Sequence, residues 1–381
     1  MNKKDYLTNK FFCPIPWTGF HYNFDGTVKN CVRSPGIIGN LQDNSIEEII
    51  HGDVNKKTKT LMLESSPGDD CHVCYNLEKN NNSLDIISDR IFYLKELKNV
   101  ENATYDSADN FSLRKIDIRW SNLCNFACVY CGPEYSSKWE EEIKWPIKTP
   151  MQSRIADLKN YVFERVTDLE HVYLAGGEPL LIKENLELLE LLREKNPDVN
   201  LRINTNLSKV DTKNFDLICQ FKNVHWIISV ETIEEEYEYI RFGGKWLDFI
   251  DNLKIIQNLG HKVSFNMLYF ALNSMSIFRC IDFLTAMGFH NNSFIIGELL
   301  NPENLNVRHL PESMLNLARI ELSNRINERP GFLLEDGLKN VLKYVNTPIE
   351  KNTDEVFKFL ETLDSRRGID SRKIFKDLYG Y

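Results

Sequence analysis

The chain has 381 residues, enough for a large core with one or two smaller modules attached. With 42% hydrophobic and 27% charged residues it has the composition of an ordinary globular protein, and no apolar run is long enough to span a membrane. A formal net charge of −9 argues against a nucleic-acid partner, which needs a clustered excess of Lys and Arg.

The first residues, MNKKDYLTNKFF, begin basic but lack the apolar stretch and cleavage site of a signal peptide, so a cytoplasmic protein is expected. Nine cysteines, at 13, 31, 71, 74, 124, 128, 131, 219 and 280, make an odd count with seven of them clustered. That pattern points to metal centres in a reducing compartment and away from a disulfide framework.

Residues 1–75 read as a first module. It opens at Cys13-Pro14-Ile15-Pro16-Trp17. Asp25-Gly26, between Tyr22 and Val28, is a strong hairpin signal, and the hairpin would carry Cys31 back towards Cys13. Gly39-Asn40-Leu41 follows, then Ser45 with Glu48 in the spacing of a capping box that opens a short helix. The module closes on Cys71-His72-Val73-Cys74, where His72 is read as a solvent-facing bystander. Four such cysteines can complete a tetrahedral zinc site or a fully ligated iron–sulfur cluster, and spacing alone does not separate the two. Residues 76–112 read as a connector. A loop-like Asn80–Ser83 precedes Leu84, Ile87, Ile91 and Leu94 at helical spacing, and a polar loop covers 99–110.

Residues 113–299 alternate short β-type runs with helical stretches, the pattern of a parallel α/β array. The runs are Arg114–Trp120, His171–Ala175, Asn200–Thr205, His225–Glu231, Lys262–Phe270 and Ser293–Leu299, with a helix such as Ile182–Lys195 between them. In folds of this class ligands gather at the carboxyl ends of the strands. After the first run come Cys124, Cys128 and Cys131, spaced CxxxCxxC, with Tyr130 before the last. Thiolates are soft ligands, and three are too few to close a metal centre. After the second run comes Gly176-Gly177-Glu178-Pro179, where glycine lets the backbone approach a neighbour closely. The third ends at Asn204-Thr205-Asn206, whose amides can bind hydroxyls or cap an Asx turn. The fourth ends at Ser229-Val230-Glu231, and Arg241 follows in a segment closing on Gly243-Gly244. A guanidinium fork suits a carboxylate, although a surface arginine is the plain alternative. On the fifth run Ser264, Asn266 and Leu268 share one side.

Residues 300–381 read as a helical extension packing on the array. Its first helix, from Leu310, would set Met314, Leu315, Leu317, Ala318, Leu322 and Ile326 on an apolar face, with further helices near 333–345, 353–364 and 371–379. Cys219 and Cys280 fall on helix-like stretches and read as small core residues, or else as thiols that return hydrogen to a radical.

The CxxxCxxC loop with Tyr130, followed about 45 residues later by Gly176–Pro179, closely resembles the radical SAM superfamily. Residues 13–75 resemble the twitch or SPASM auxiliary-cluster domain of such enzymes, here preceding the barrel where most relatives have it following. The resemblance implies a partial (β/α)6 barrel over residues 113–299. It implies two 4Fe–4S clusters, one on Cys124, Cys128 and Cys131 and an auxiliary one on Cys13, Cys31, Cys71 and Cys74. The first would chelate S-adenosylmethionine (SAM) and cleave it reductively to a 5′-deoxyadenosyl radical. Tyr130, Gly176, Gly177, Glu178, Pro179, Asn204, Asn206, Ser229, Glu231 and Arg241 would line the SAM site, although Glu231 stands where relatives often have Asp. The expected reaction is oxidative modification of a peptide or protein side chain or of a carbohydrate-like metabolite, with a flavodoxin- or ferredoxin-type reductant. The alternatives are a radical SAM epimerase with a cysteine hydrogen donor, an iron–sulfur redox sensor or electron carrier, and a zinc-stabilised binding module.

Overall fold

The computed structural model describes residues 8–79, 88–98, 105–146, 152–328 and 332–380. The chain divides into two compact units. One holds residues 1–123, 146–203 and 211–224, the other residues 124–145, 204–210 and 225–381.

In the first unit Asp25 and Gly26 close the expected hairpin. Strands β1 (Gly19–Tyr22) and β2 (Thr27–Lys29) pair antiparallel, and β3 (Gly39–Asn40) adds to β2. Gly26 adopts a φ of +91°, and Asp25 Oδ1 accepts from both the backbone N–H and the hydroxyl of Thr27. The capping box at Ser45 and Glu48 forms and opens the helix Ile46–Ile50. Strand β1 also runs parallel to β4 (Lys115–Ile118), with His21 opposite Asp117, and β5 (His171–Leu174) and β6 (Asn200–Thr205) continue in parallel. The alternation of a strand sorts the two faces. Phe20, Ile116, Val172 and Leu201 form a buried apolar row on one face. On the other, His21, Asp117, Tyr173 and Arg202 stand in register across the four strands. The connector supplies the helix Asp89–Glu96, burying Ile91 and Leu94, with Phe92 and Tyr93 edge-on to His171. Leu84 and Ile87 lie outside the described residues.

In the second unit β7 (Val224–Ser229), β8 (Lys262–Tyr269) and β9 (Phe294–Glu298) are parallel neighbours. All six strands expected between residues 113 and 299 are therefore present, within two residues of their expected ends, and they alternate with helices in the α/β pattern. The C-terminal helices are Glu312–Glu328, Phe332–Val345, Thr353–Arg367 and two short turns of helix, Ser371–Ile374 and Lys376–Tyr379. Helix Phe332–Val345 lies on β9 so closely that a Cβ on Gly337 would sit 2.8 Å from the Ile296 carbonyl oxygen. On the first of these helices Leu315, Ala318 and Leu322 are buried, but Leu317 is 53% exposed. Two residues from Leu315 is more than half a turn of helix, which carries Leu317 to the opposite side. No described helix is long and apolar enough to cross a membrane.

Candidate functional site

The cysteine loop is held from both sides within the second unit. On one side the backbone N–H groups of Ala127 and Val129 donate to the carbonyls of Phe242 and Ile240, both at 2.8 Å. Gly243, at φ +105°, lets this segment close in, since a Cβ there would sit 2.8 Å from the Asn125 carbonyl oxygen. On the other side the helix Ser137–Ile143 grips the loop. Ser136 Oγ caps that helix and donates to Phe126 O at 2.6 Å, Ser137 Oγ accepts from the Cys124 N–H at 3.1 Å, and Trp139 Nε1 donates to Cys128 O at 2.7 Å.

Cys128 is buried, while Cys124 and Cys131 are half-buried. Burial first, then the two neighbouring thiols, pushes the Cys131 thiol far up, and burial also raises Cys128. Cys131 thus lies within electrostatic reach of both other thiols of the loop, a set of soft donors suited to iron. Two of them face N–H donors. Asn206 Nδ2 lies 3.8 Å from Cys124 Sγ, and Arg241 Nη1 lies 3.9 Å from Cys128 Sγ. The amide of Asn206 does two jobs, since its Oδ1 also accepts from the Ser208 N–H in an Asx turn at 2.8 Å.

Glu231 and Arg241, both nearly inaccessible, are paired with each other. Arg241 Nε and Nη2 donate to the two carboxylate oxygens at 2.8 and 2.6 Å. Tyr130 joins them, its hydroxyl donating to Glu231 Oε1 at 2.9 Å while its ring meets Phe270 edge-on. Sequence reasoning gave each of these residues a separate contact with the cofactor. The structure joins them into one buried network that reaches a cysteine sulfur. Asn204 Oδ1 is buried without a partner among the described residues, and Ser229 is half-buried at the end of β7, opposite Asn266.

The Gly176–Pro179 turn belongs to the first unit. Its glycines answer to backbone crowding: a Cβ would sit 2.8 Å from Ser121 O at Gly176 and 2.2 Å from Leu123 O at Gly177. Glu178 is fully buried, and its Oε1 accepts from the Leu180 N–H at 3.1 Å, capping its own turn. Pro179 O accepts from Asn185 and Asn214, two anchors with no recognisable sequence signal.

Cys13, Cys31, Cys71 and Cys74 line one small cavity with Arg33 and Arg90. Burial raises the pKa of all four thiols, Cys31 to about 11 and Cys71 to about 12, and at Cys13 and Cys71 the neighbouring thiols raise it further. Arg90 was missed in the sequence. Its guanidinium is paired with Glu78 and donates to the carbonyls of Asn9 and Phe12, fixing the backbone that leads into Cys13. His72 is exposed, as expected. Among the described residues no three His, Cys, Asp or Glu side chains converge on a point for a single metal ion. Four thiols lining one cavity can ligate a 4Fe–4S cluster in full. Cys219 is half-buried and Cys280 fully buried on the helix Ile277–Ala286.

The Radical SAM superfamily pattern matches residues 118–284. Residues 118–284 are a radical SAM domain. The SPASM iron–sulfur cluster-binding domain matches residues 13–75, so the auxiliary domain stands at the N-terminal side. Together the two radical SAM-type domains imply 4Fe–4S clusters and SAM as cofactors. The chain is 25% identical over 172 residues to the GTP 3′,8-cyclase of Campylobacter lari, covering 44% of this chain and 49% of that protein. It is 30% identical over 99 residues to the GTP 3′,8-cyclase of Nautilia profundicola, covering 24% and 28%. The chain thus spans about half or less of the length of these curated relatives. Among solved structures, anSMEcpe with bound AdoMet aligns over 55% of this chain and 60% of its own at 17% identity and a TM-score of 0.41. Streptococcus suis SuiB bound to precursor peptide SuiA aligns over 89% and 76% at 14% identity and a TM-score of 0.42.

Proposed function

We propose that this chain is a radical SAM enzyme that cleaves SAM reductively and abstracts hydrogen from a polar substrate, with an auxiliary 4Fe–4S cluster in electron transfer. The observation that carries the reading is the crowding of Cys124, Cys128 and Cys131 in one caged loop, with N–H donors turned towards two of the sulfurs. When bound, the cluster and SAM supply one-electron reduction of a sulfonium and hydrogen abstraction. The three thiolates hold the iron. Asn206 and Arg241 donate towards sulfur, which favours the thiolate form over the thiol. The Glu231 carboxylate holds Arg241 and orients the Tyr130 hydroxyl. Cys13, Cys31, Cys71 and Cys74 ligate the auxiliary cluster, and four thiolates leave it no place for substrate.

In this reading residues 1–75 carry the auxiliary cluster, 76–112 connect, 113–299 form the catalytic barrel and 300–381 extend it. The in-register row of His21, Asp117, Tyr173 and Arg202 supports a polar substrate, such as a peptide side chain or a carbohydrate-like metabolite. A flavodoxin- or ferredoxin-type protein supplies the electron. Full burial of Cys280 speaks for core packing over hydrogen return. The test is anaerobic reconstitution with iron and sulfide, then dithionite and SAM, with 5′-deoxyadenosine measured by mass spectrometry. Wild type is expected to form it, and the Cys124→Ala, Cys128→Ala and Cys131→Ala variants are not. Zinc in place of roughly eight irons, or intact clusters with no SAM cleavage, would sink the reading.

A further inference from the structure

The last long helix of the chain reaches the cysteine loop through one side chain. The side chain of Arg367, at the C-terminal end of Thr353–Arg367, is 2% exposed. Its Nη2 donates to Ala127 O at 2.8 Å, one residue before Cys128. Its Nε and Nη2 fork onto Glu142, at 3.2 and 3.1 Å, and Glu142 belongs to the same Ser137–Ile143 helix that grips the loop. The guanidinium lies over the Phe242 ring, 4.2 Å from its centre, and over Trp139, 4.9 Å from its centre. Those rings belong to the two walls that hold the loop.

One group is left over. Arg367 Nη1 is buried with no partner among the described residues. An unmade hydrogen bond of this kind is costly and is rare without a reason. Cluster sulfurs accept hydrogen bonds, and such bonds and nearby charge set cluster potentials.

We propose that Arg367 is a positioning residue of the SAM-cluster site: it fastens the loop at Ala127 and holds a positive charge beside Cys128, so that the C-terminal helix is part of the cluster site. This rests on the reading that Cys124, Cys128 and Cys131 hold the cluster.

The test uses the reconstituted two-cluster protein and two readouts that do not depend on turnover. One is the midpoint potential of the cluster whose EPR signal responds to SAM. The other is the rate at which each cluster loses iron to a chelator. Arg367→Gln is expected to lose iron from the SAM-responsive cluster about tenfold faster than wild type, within the range for outer-shell partners of a metal site. Its potential should move to more negative values, because the reduced cluster carries the extra negative charge. The auxiliary cluster should decay at the wild-type rate. Arg367→Lys should restore much of the potential but not the retention, since an ammonium cannot fork onto Glu142. Glu142→Gln, which loosens the fork and keeps the cation, should affect retention alone. Lys358→Gln, on the exposed side of the same helix, should match wild type. If Arg367→Gln and Glu142→Gln both match wild type, or both clusters decay together in each, the proposal fails. A wild-type protein with no cluster on the loop would instead remove the reading beneath it.

Discussion

The buried pair Glu231–Arg241 makes a prediction with a definite size. Both side chains are almost inaccessible, 1% and 4% exposed, and two charge-assisted hydrogen bonds join them at 2.8 and 2.6 Å. Arg241→Met would leave the Glu231 carboxylate buried with the Tyr130 hydroxyl as its remaining side-chain donor among the described residues. Breaking a buried pair from one side costs about 3–5 kcal/mol, because the surviving charge keeps its desolvation penalty and loses its partner. Spread over a chain of this length, that is a fall in melting temperature of roughly 4–6 °C. Removing both partners is a different matter, since an apolar pair of similar volume is often neutral or stabilising. The double variant Glu231→Leu with Arg241→Met should therefore recover most of the loss. The assay is thermal unfolding of the iron-free protein under anaerobic conditions, followed by tryptophan fluorescence, so that cluster loss does not enter. Single variants that melt within 1 °C of wild type, or a double variant that loses the sum of both, would refute the reasoning. In the iron-loaded protein Arg241→Met should also shift the potential of the SAM-responsive cluster, since Nη1 faces Cys128 Sγ at 3.9 Å.

Three further outcomes follow from the same geometry. Gly177→Ala should destabilise by roughly 1–3 kcal/mol, because its Cβ would meet Leu123 O at 2.2 Å, whereas Gly297→Ala, with nothing within 4 Å, should be neutral; chemical denaturation decides, and equal midpoints would count against the packing account. Cys71→Ala should cost about half the bound iron yet leave SAM cleavage by strong chemical reductant in place, read by iron analysis beside 5′-deoxyadenosine yield. Burial, and then the nearby Arg202 and Lys115, lower the His171 pKa to about 4, so its unfolded form takes a proton near pH 6.5 that the folded form refuses; stability is full above pH 6.5 and falls by about 3 kcal/mol as pH drops towards 4. His171→Phe should keep the ring contacts with Phe92 and Tyr93 and flatten that part of the acid limb, and an unchanged melting profile from pH 7.5 to 5 would contradict the assignment.

Much of the fold was legible because the signals are local. The β-branched and aromatic runs at residues 171–174 and 200–205 sit between amphipathic stretches, and Asp25-Gly26 can do little else than turn. What did not show was the parallel pairing of β1 with β4. That pairing joins residues about 96 positions apart, His21 with Asp117, and no periodicity within either strand announces it. It also brings His21 into line with Tyr173 and Arg202, so the polar row exists only once the strands have been ordered. Leu317 was misplaced for a simpler reason. Hydrophobicity drew it to the apolar face although the helical period carries it away from Leu315.

The site divides in the same way. Three thiols within eight residues declare themselves, because no ordinary packing need places soft ligands at that spacing. The residues around them do not. Glu231 and Arg241 each look suited to a polar ligand, and only the structure shows that each has already met the other. Gly176 and Gly177 look like a ligand cradle, yet the atoms that forbid a side chain are carbonyls of residues 121 and 123, which lead into the cysteine loop. Arg367 gave no signal at all, being one basic residue among several near the end of a helix. These cases share a cause. A ligand's identity follows from donor type, which composition and spacing reveal, whereas its cage follows from which distant backbone carbonyls and charges need partners. A chain settles that second question only by folding, so residues such as Arg367 and Arg90 should be sought by following unsatisfied carbonyls outward from the ligands.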